Sequence, residues 1–255
     1  MEVGRSLRLY LTGEVQVENG GRLLRESKLG GPQGRFVLAY LATERKRAVA
    51  QSELADALWS GSPPSSWPLA LSAIISKLRS RLGGIGLDRT RIIGHAFGCY
   101  QFTAPADAWV DVEAALAAVD LAEGALNAGD PGAAYGPSLI ATTILRRPFL
   151  PGDGGAWTEE RRQALAAMLV RALDCRVEAL LANSEVELAL SHAREAVRLE
   201  PFRESGYRRL MRVHARKGDR AEAVRVYADL RRLLAKELGV EPSEETDSVY
   251  REVAR

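Results

Sequence analysis

Cysteine, histidine and aromatic side chains are scarce: the 255 residues hold two Cys, three His and 6% aromatics. Cys99 and Cys175 lie far apart in the chain and read as buried or idle thiols, not as a structural disulfide. His95, His192 and His214 are separated too, with no cysteine or carboxylate partner at ligand spacing, so no metal site is expected. No Ser/His/Asp set, paired-acid constellation or GxxxxGK[ST] loop occurs, which leaves catalysis and a bound cofactor unsupported and a non-enzyme expected. No apolar run approaches the ~18 residues of a membrane span. The N-terminal MEVGRSLRLYL lacks an apolar core followed by a small-residue cleavage site, so a cytoplasmic, non-secreted chain without membrane attachment is expected. One absence is local: no Asp or Glu stands between Asp56 and Asp88.

Inside that acid-free window lies a helical pattern from Ser66 to Leu82. Leu71, Ile74, Ile75, Leu78 and Leu82 recur at the spacing of one buried stripe. Pro68 suits a first helical turn, Ser66 or Ser65 can cap it, and Gly83-Gly84 is expected to end it. Ala73, Ser76, Lys77 and Ser80 then point outward, flanked by Arg79 and Arg81. A small, polar, basic face without carboxylates can enter a DNA major groove; an ordinary solvated face has the same composition. Charge along the chain bears on the choice. Residues 1–106 carry 14 Lys/Arg and 8 Asp/Glu, and residues 107–255 carry 21 and 25, so only the first part is expected to meet a polyanion.

In chain order, Leu7, Leu9 and Leu11 alternate with Arg8 and Tyr10, and Val15, Val17 and the Asn19-Gly20-Gly21 turn continue a small sheet. A short helix is expected from Pro32 to Thr43, a basic loop at Arg45-Lys46-Arg47, and a second helix beginning at Ser52. After the acid-free helix, Arg91–His95 and Cys99–Phe102 form a hairpin around Ala96-Phe97-Gly98. Sheet, three helices and closing hairpin is the order of a winged helix-turn-helix with an N-terminal sheet. Ala104-Pro105-Ala106 is the expected seam, which gives domains at 1–106 and 107–255. Beyond it strand signals stop and helices alternate with turns at Gly129-Asp130-Pro131, Pro151–Gly155, Asn183-Ser184, Glu200-Pro201, Gly218-Asp219 and Gly239. Ala189, Ala193, Ala196 and Pro201 echo Ala223, Tyr227, Leu230 and Pro242, with Leu173, Val177, Leu180 and Leu210, Val213, His214 set opposite on preceding helices. That is tetratricopeptide-like spacing for an all-α repeat domain; an irregular helical bundle is the alternative. The fold class expected is therefore α+β winged helix followed by all-α helical repeats.

Two stretches carry a family resemblance. Glu53-Leu54, Ala57-Leu58-Trp59, Ala70-Leu71, Ile75-Ser76-Lys77-Leu78-Arg79, Leu82-Gly83 and Tyr100-Gln101-Phe102 resemble an OmpR/PhoB-type DNA-binding domain. Leu199-Glu200-Pro201, Glu204, Gly218 through Ala223, Val226-Tyr227, Leu230 through Leu234 and Glu237 through Pro242 resemble the bacterial transcriptional activator domain. Asp107, Trp109 and Asp111 match where that domain begins. In this order the pair resembles the Streptomyces antibiotic regulatory protein (SARP) family across nearly the whole chain.

The resemblance implies a transcriptional activator that binds direct repeats in double-stranded DNA near the −35 region. It also implies side-by-side protomers, a homodimer on DNA, and contact with RNA polymerase and its sigma factor. It places DNA-facing positions at Ser72, Ser76, Lys77 and Arg79, with wing contacts near His95 and Gln101. Cys99 stands where the family's wing carries a second glycine, and Gln101 where a basic residue is common. Tyr135-Gly136-Pro137 is expected to interrupt a helix that is usually continuous. With no phosphate loop, and with the sheet at the very start of the chain, neither an ATPase module nor a receiver aspartate is expected as the switch.

From the residues themselves, Lys77 is the better groove candidate. Arg79 lies nearer the buried flank and suits phosphate or intradomain pairing. Arg47 reads equally as a backbone contact or as part of a solvated loop, and Ser52 as an amide donor to phosphate or a simple cap. Trp59 and Trp67 read as packing residues, and Glu159, Glu160, Arg161 and Arg162 as solvated or capping residues. Two other functions remain open: a helical-repeat adaptor whose winged helix docks protein, and a regulator responsive to a small-molecule ligand that no pocket chemistry names.

Overall fold

The computed structural model describes residues 7–255, which divide into two compact units. One takes the chain up to 114 together with 147–164; the other takes 115–146 and 165–255.

In the first unit, β1 (Arg8–Tyr10), β2 (Gln16–Asn19) and β3 (Arg22–Leu24) form an antiparallel meander. Leu7, Leu9, Leu11, Val15 and Val17 are fully buried, as the alternation predicts. α1 (Gly31–Thr43) follows, buried on every side from Phe36 to Ala42, because it lies under both α2 (Gln51–Leu58) and α3 (Trp67–Gly84). A second sheet has the order β4-β6-β5, made of β4 (Val49–Ala50), β5 (Ile93–Ala96) and β6 (Cys99–Phe102). The β5–β6 pair is the expected hairpin, in register from Ile93↔Phe102 to Ala96↔Cys99.

α3 ends at Gly83-Gly84 as expected, and Gly86 follows in the left-handed region (φ 90°), its amide donating to the Gly83 carbonyl and the Leu87 amide to that of Leu82. That pair of bonds is the Schellman stop, and only the residue with positive φ needs to be glycine. Three details depart from expectation. Ser66 occupies the N-cap position but its side chain makes no capping bond. α2 begins one residue early, at Gln51, so Ser52 is a first-turn residue and not the cap. Strands also continue past Asp107: β7 (Trp109–Val110) adds to β1 in parallel, opposite Arg8 and Leu9, completing the order β3-β2-β1-β7. Two residues are too few to show a period of two.

Asp111, fully buried, secures that junction. Its carboxylate accepts from the amides of Leu11 (2.9 Å) and Thr12 (2.9 Å) and from the Thr12 hydroxyl (2.7 Å). The segment 147–164 completes the unit. The Gly13 amide donates to the Pro148 carbonyl (2.8 Å), and Phe149 and Trp157 close an aromatic cluster with Phe36 and Tyr40, the Tyr40–Trp157 centroids 4.5 Å apart. Arg161, expected to be solvated, pairs with Glu44, and Arg162 donates to the Phe149 and Leu150 carbonyls.

The second unit is helical: most of α4 (Asp111–Asn127), α5 (Tyr135–Leu145), most of α6 (Ala156–Ala182), then α7 (Val186–Leu199), α8 (Glu204–Lys217), α9 (Arg220–Glu237) and α10 (Glu244–Val253). Tyr135-Gly136-Pro137 starts α5 instead of breaking a helix. Pro137 sits in the first turn, where its missing N–H has no intrahelical partner to lose. Val177, Leu180, Ala189, Leu190, Ala193, Leu210 and Val213 form one core, so the small residues lie where neighbouring helices meet. Tyr207 with Leu230 and Leu234, and Met211 with Ala223 and Val249, carry the packing on through α9 and α10. This is the tetratricopeptide-like array of successive helix pairs. Cys175 is buried here, which pushes its thiol up to about 11; Cys99 in β6 is half-buried and also free.

Candidate nucleic-acid interface

α3 is held by Leu71, Ile75, Leu78 and Leu82, each no more than 1% exposed, and Ile74 is half-buried. Full burial of such a side chain contributes about 1.5–3 kcal/mol, so the helix has no freedom to roll. The face turned away therefore has a fixed membership: Leu69, Ser72, Ala73, Ser76, Lys77 and Ser80, spaced i, i+3, i+4, i+7, i+8 and i+11, all exposed. Arg81 is exposed on its edge. Among the described residues neither Lys77 nor Arg81 is in an ion pair. Several other cations of the unit are paired: Arg45 with Glu113 (2.7 Å), Arg47 with Glu44 (2.7 Å) and Glu53 (2.5 Å), and Arg35 with Glu26 (3.0 Å).

The residues singled out from sequence fall into two groups. Ser72, Ser76 and Lys77 share the outward face of α3. Arg79, half-buried on its flank, donates through Nε (3.0 Å) and Nη2 (2.6 Å) to the carbonyl of Ile93 and so ties α3 to the wing. His95 lies on β5, its ring over Tyr100 (centroids 4.9 Å apart) and its Nε2 accepting from the Gln51 side-chain amide at 2.6 Å. Gln101 on β6 is exposed and donates to the Arg45 carbonyl (3.3 Å). The wing thus touches the start of α2 and the 45–47 loop. Ser52, exposed in the first turn of α2, has a backbone amide that precedes the helical hydrogen-bond ladder. Arg47 lies between two carboxylates. Its hydrogen bond to Glu53 is the main reason that carboxyl is held below its usual range, and burial with Glu53 as neighbour pushes Tyr40 up to about 12.

Two exposed apolar residues escaped the sequence reading. Leu69, in the first turn of α3, is 78% exposed; its signal was its displacement from the buried stripe. Phe97, at the wing tip, is fully exposed and adopts φ 50°, followed by Gly98 at φ 71°. Both positions of this two-residue turn are left-handed, the geometry that matches strand twist, and Phe97 occupies one that a glycine or asparagine fills without strain. Among the described residues no group of three or more potential metal ligands is found, and no helix is long and apolar enough to cross a membrane.

Comparison with known proteins adds sequence-wide context. The family model described as "Bacterial transcriptional activator domain" matches residues 110–254. The chain is 32% identical over 241 residues to Regulatory protein AfsR of Streptomyces coelicolor, an alignment covering 94% of this chain and 23% of that protein. It is 28% identical over 256 residues to Transcriptional regulatory protein MoaR1 of Mycobacterium tuberculosis, covering 95% of this chain and 80% of MoaR1. The solved structure of Mycobacterium tuberculosis EmbR in complex with a low-affinity phosphopeptide superimposes with a TM-score of 0.85 at 24% identity, over 97% of this chain and 64% of that one. The chain thus spans about a quarter of the length of AfsR, and the EmbR likeness is one of fold.

Proposed function

We propose that this chain, which belongs to the bacterial transcriptional activator domain family, is a SARP-type activator that regulates transcription by seating α3 in a DNA major groove. The outward face of α3 carries the reading: an exposed strip of mostly small and polar side chains with Lys77 among them, and no carboxylate between Asp56 and Asp88 to repel phosphate. Ser72, Ser76 and Lys77 read base edges. Arg79, anchored to the wing, and Arg47 meet backbone phosphates, the latter by exchanging a carboxylate for a phosphate. The Ser52 amide donates to phosphate, and His95 and Gln101 bring the wing to the sugar–phosphate backbone. Two protomers lie side by side on a direct repeat near the promoter, with the helical unit meeting RNA polymerase and its sigma factor. Such a protein works in the cytoplasm, as a binder and not an enzyme.

Selection of DNA fragments by the purified chain at two salt concentrations tests this. The expected result is a short direct repeat with half-sites about 10–10.5 base pairs apart, one helical turn. Recovery of nothing above a salt-sensitive background would overturn it.

A further inference from the structure

The outward face of α3 is not uniformly polar. Leu69 and Ala73 lie one helical turn apart on the same face as Ser72, Ser76 and Lys77, and both are exposed, Leu69 by 78%. The hydroxyls and the ammonium have an evident use at base edges and phosphates, but an isobutyl group held in water on a rigid first turn has none. Its helix is fixed by four buried side chains on the other side, so Leu69 cannot fold back into the core. The first turn offers little to phosphate either. Pro68 has no N–H, and the amides of Leu69 and Ala70 both donate to the Ser66 carbonyl (3.1 and 3.2 Å). This end of α3 therefore approaches DNA with an apolar surface where a reading helix meets base edges.

One apolar group faces the major groove from the bases, the 5-methyl of thymine. We infer that Leu69 and Ala73 read thymine methyl groups, so that the recognised half-site carries thymine opposite the N-terminal turn of α3 while the Ser76 and Lys77 end meets hydrogen-bonding edges. The inference rests on the reading of α3 as the groove helix and adds the base it selects. Burying one methyl is equivalent to about a three- to five-fold change in affinity.

The test uses the full chain and a duplex bearing its selected site, with each thymine replaced singly by deoxyuridine, which removes the methyl and leaves every hydrogen-bonding group. One or two replacements per half-site are expected to weaken binding about three- to five-fold. Leu69→Ala or Ala73→Ser should bind the thymine and deoxyuridine duplexes equally at one of those positions. Leu69 is exposed, so its truncation leaves the fold intact, which thermal melting verifies. If a site is selected but no replacement matters, or the loss persists undiminished in both variants, the methyl reading falls and the DNA-binding function stands. If no site is selected at all, both fall.

Discussion

The guanidinium of Arg79 grips the carbonyl of Ile93 with two donors, Nε at 3.0 Å and Nη2 at 2.6 Å. The two residues belong to α3 and β5, so this one group ties the wing to α3. A lysine cannot reproduce the two-donor fork. Arg79→Lys is expected to cost about 1–2 kcal/mol in urea unfolding, the scale of a charged hydrogen bond, and to lower specific DNA affinity. Unchanged stability and unchanged affinity together would refute the role.

Lys77 makes a different prediction, because it is exposed and outside the ion pairs of the unit. Lys77→Ala should leave the thermal midpoint within about 2 °C, since substitutions of exposed residues away from special features stay within about 0.5 kcal/mol. Binding to the selected site should weaken. A salt titration separates two contacts: a phosphate contact lowers the slope of log affinity against log salt by about 1, and a base contact relaxes sequence preference. An identical isotherm for the specific duplex would remove Lys77 from the interface.

Asp111 gathers several buried hydrogen bonds on one side chain. Its buried carboxylate collects the amides of Leu11 and Thr12 and the Thr12 hydroxyl. Asp111→Ala strands those donors, each at about 1–3 kcal/mol, and should cost at least about 3 kcal/mol in chemical unfolding. Asp111→Asn should fall between, because an NH2 group replaces one acceptor oxygen facing a ring of donors. A loss under about 1 kcal/mol for the alanine variant would contradict the geometry.

Phe97 predicts the opposite sign. A left-handed backbone costs a residue with a Cβ roughly 1–2 kcal/mol, and its exposed ring recovers no packing. Phe97→Gly should therefore melt at the same or a slightly higher temperature. If melting falls by several degrees, the ring has a packing role in solution.

Acid should loosen the protein by a defined route. Hydrogen bonds from Arg47, Arg45 and Arg171 hold the carboxyls of Glu53, Glu113 and Glu123 below their ordinary value. A depressed folded pKa means that the unfolded chain takes up protons first. This stabilisation is complete above the unfolded carboxylate value, about 4.3, and is lost as pH falls through the folded values. Melting temperature should thus hold from pH 7 to about 5.5 and decline below about 4.5, and Arg45→Ala should make the decline shallower.

Periodicity carried most of the helical organisation. The stripe Leu71, Ile75, Leu78, Leu82 and the run of turns from Gly129 to Gly239 were legible because 3.6-residue spacing needs only local sequence. β4 and β7, two residues each, show no period, and α1, buried all round, has no polar face to outline its orientation. Asp111 was visible only as a resemblance, because the amides it satisfies lie about a hundred residues earlier. At the candidate interface, Ser72, Ser76 and Lys77 followed from the helix phase. The flank position of Arg79 pointed to pairing within the domain, but its partner Ile93, and the hold of two glutamates on Arg47, depended on strand and loop placement that composition does not encode.

Residues 147–164 close the first unit, with Phe149 and Trp157 over Phe36 and Tyr40, although 115–146 are spent elsewhere. On the ribosome, the winged helix emerges well before its lid does. It stays incomplete until residue 164 has been translated, with a stretch of the other unit already synthesised in between. Assembly of this unit is nested, not sequential: a chain ending after the wing lacks Phe149 and Trp157 and leaves Phe36 and Tyr40 uncovered.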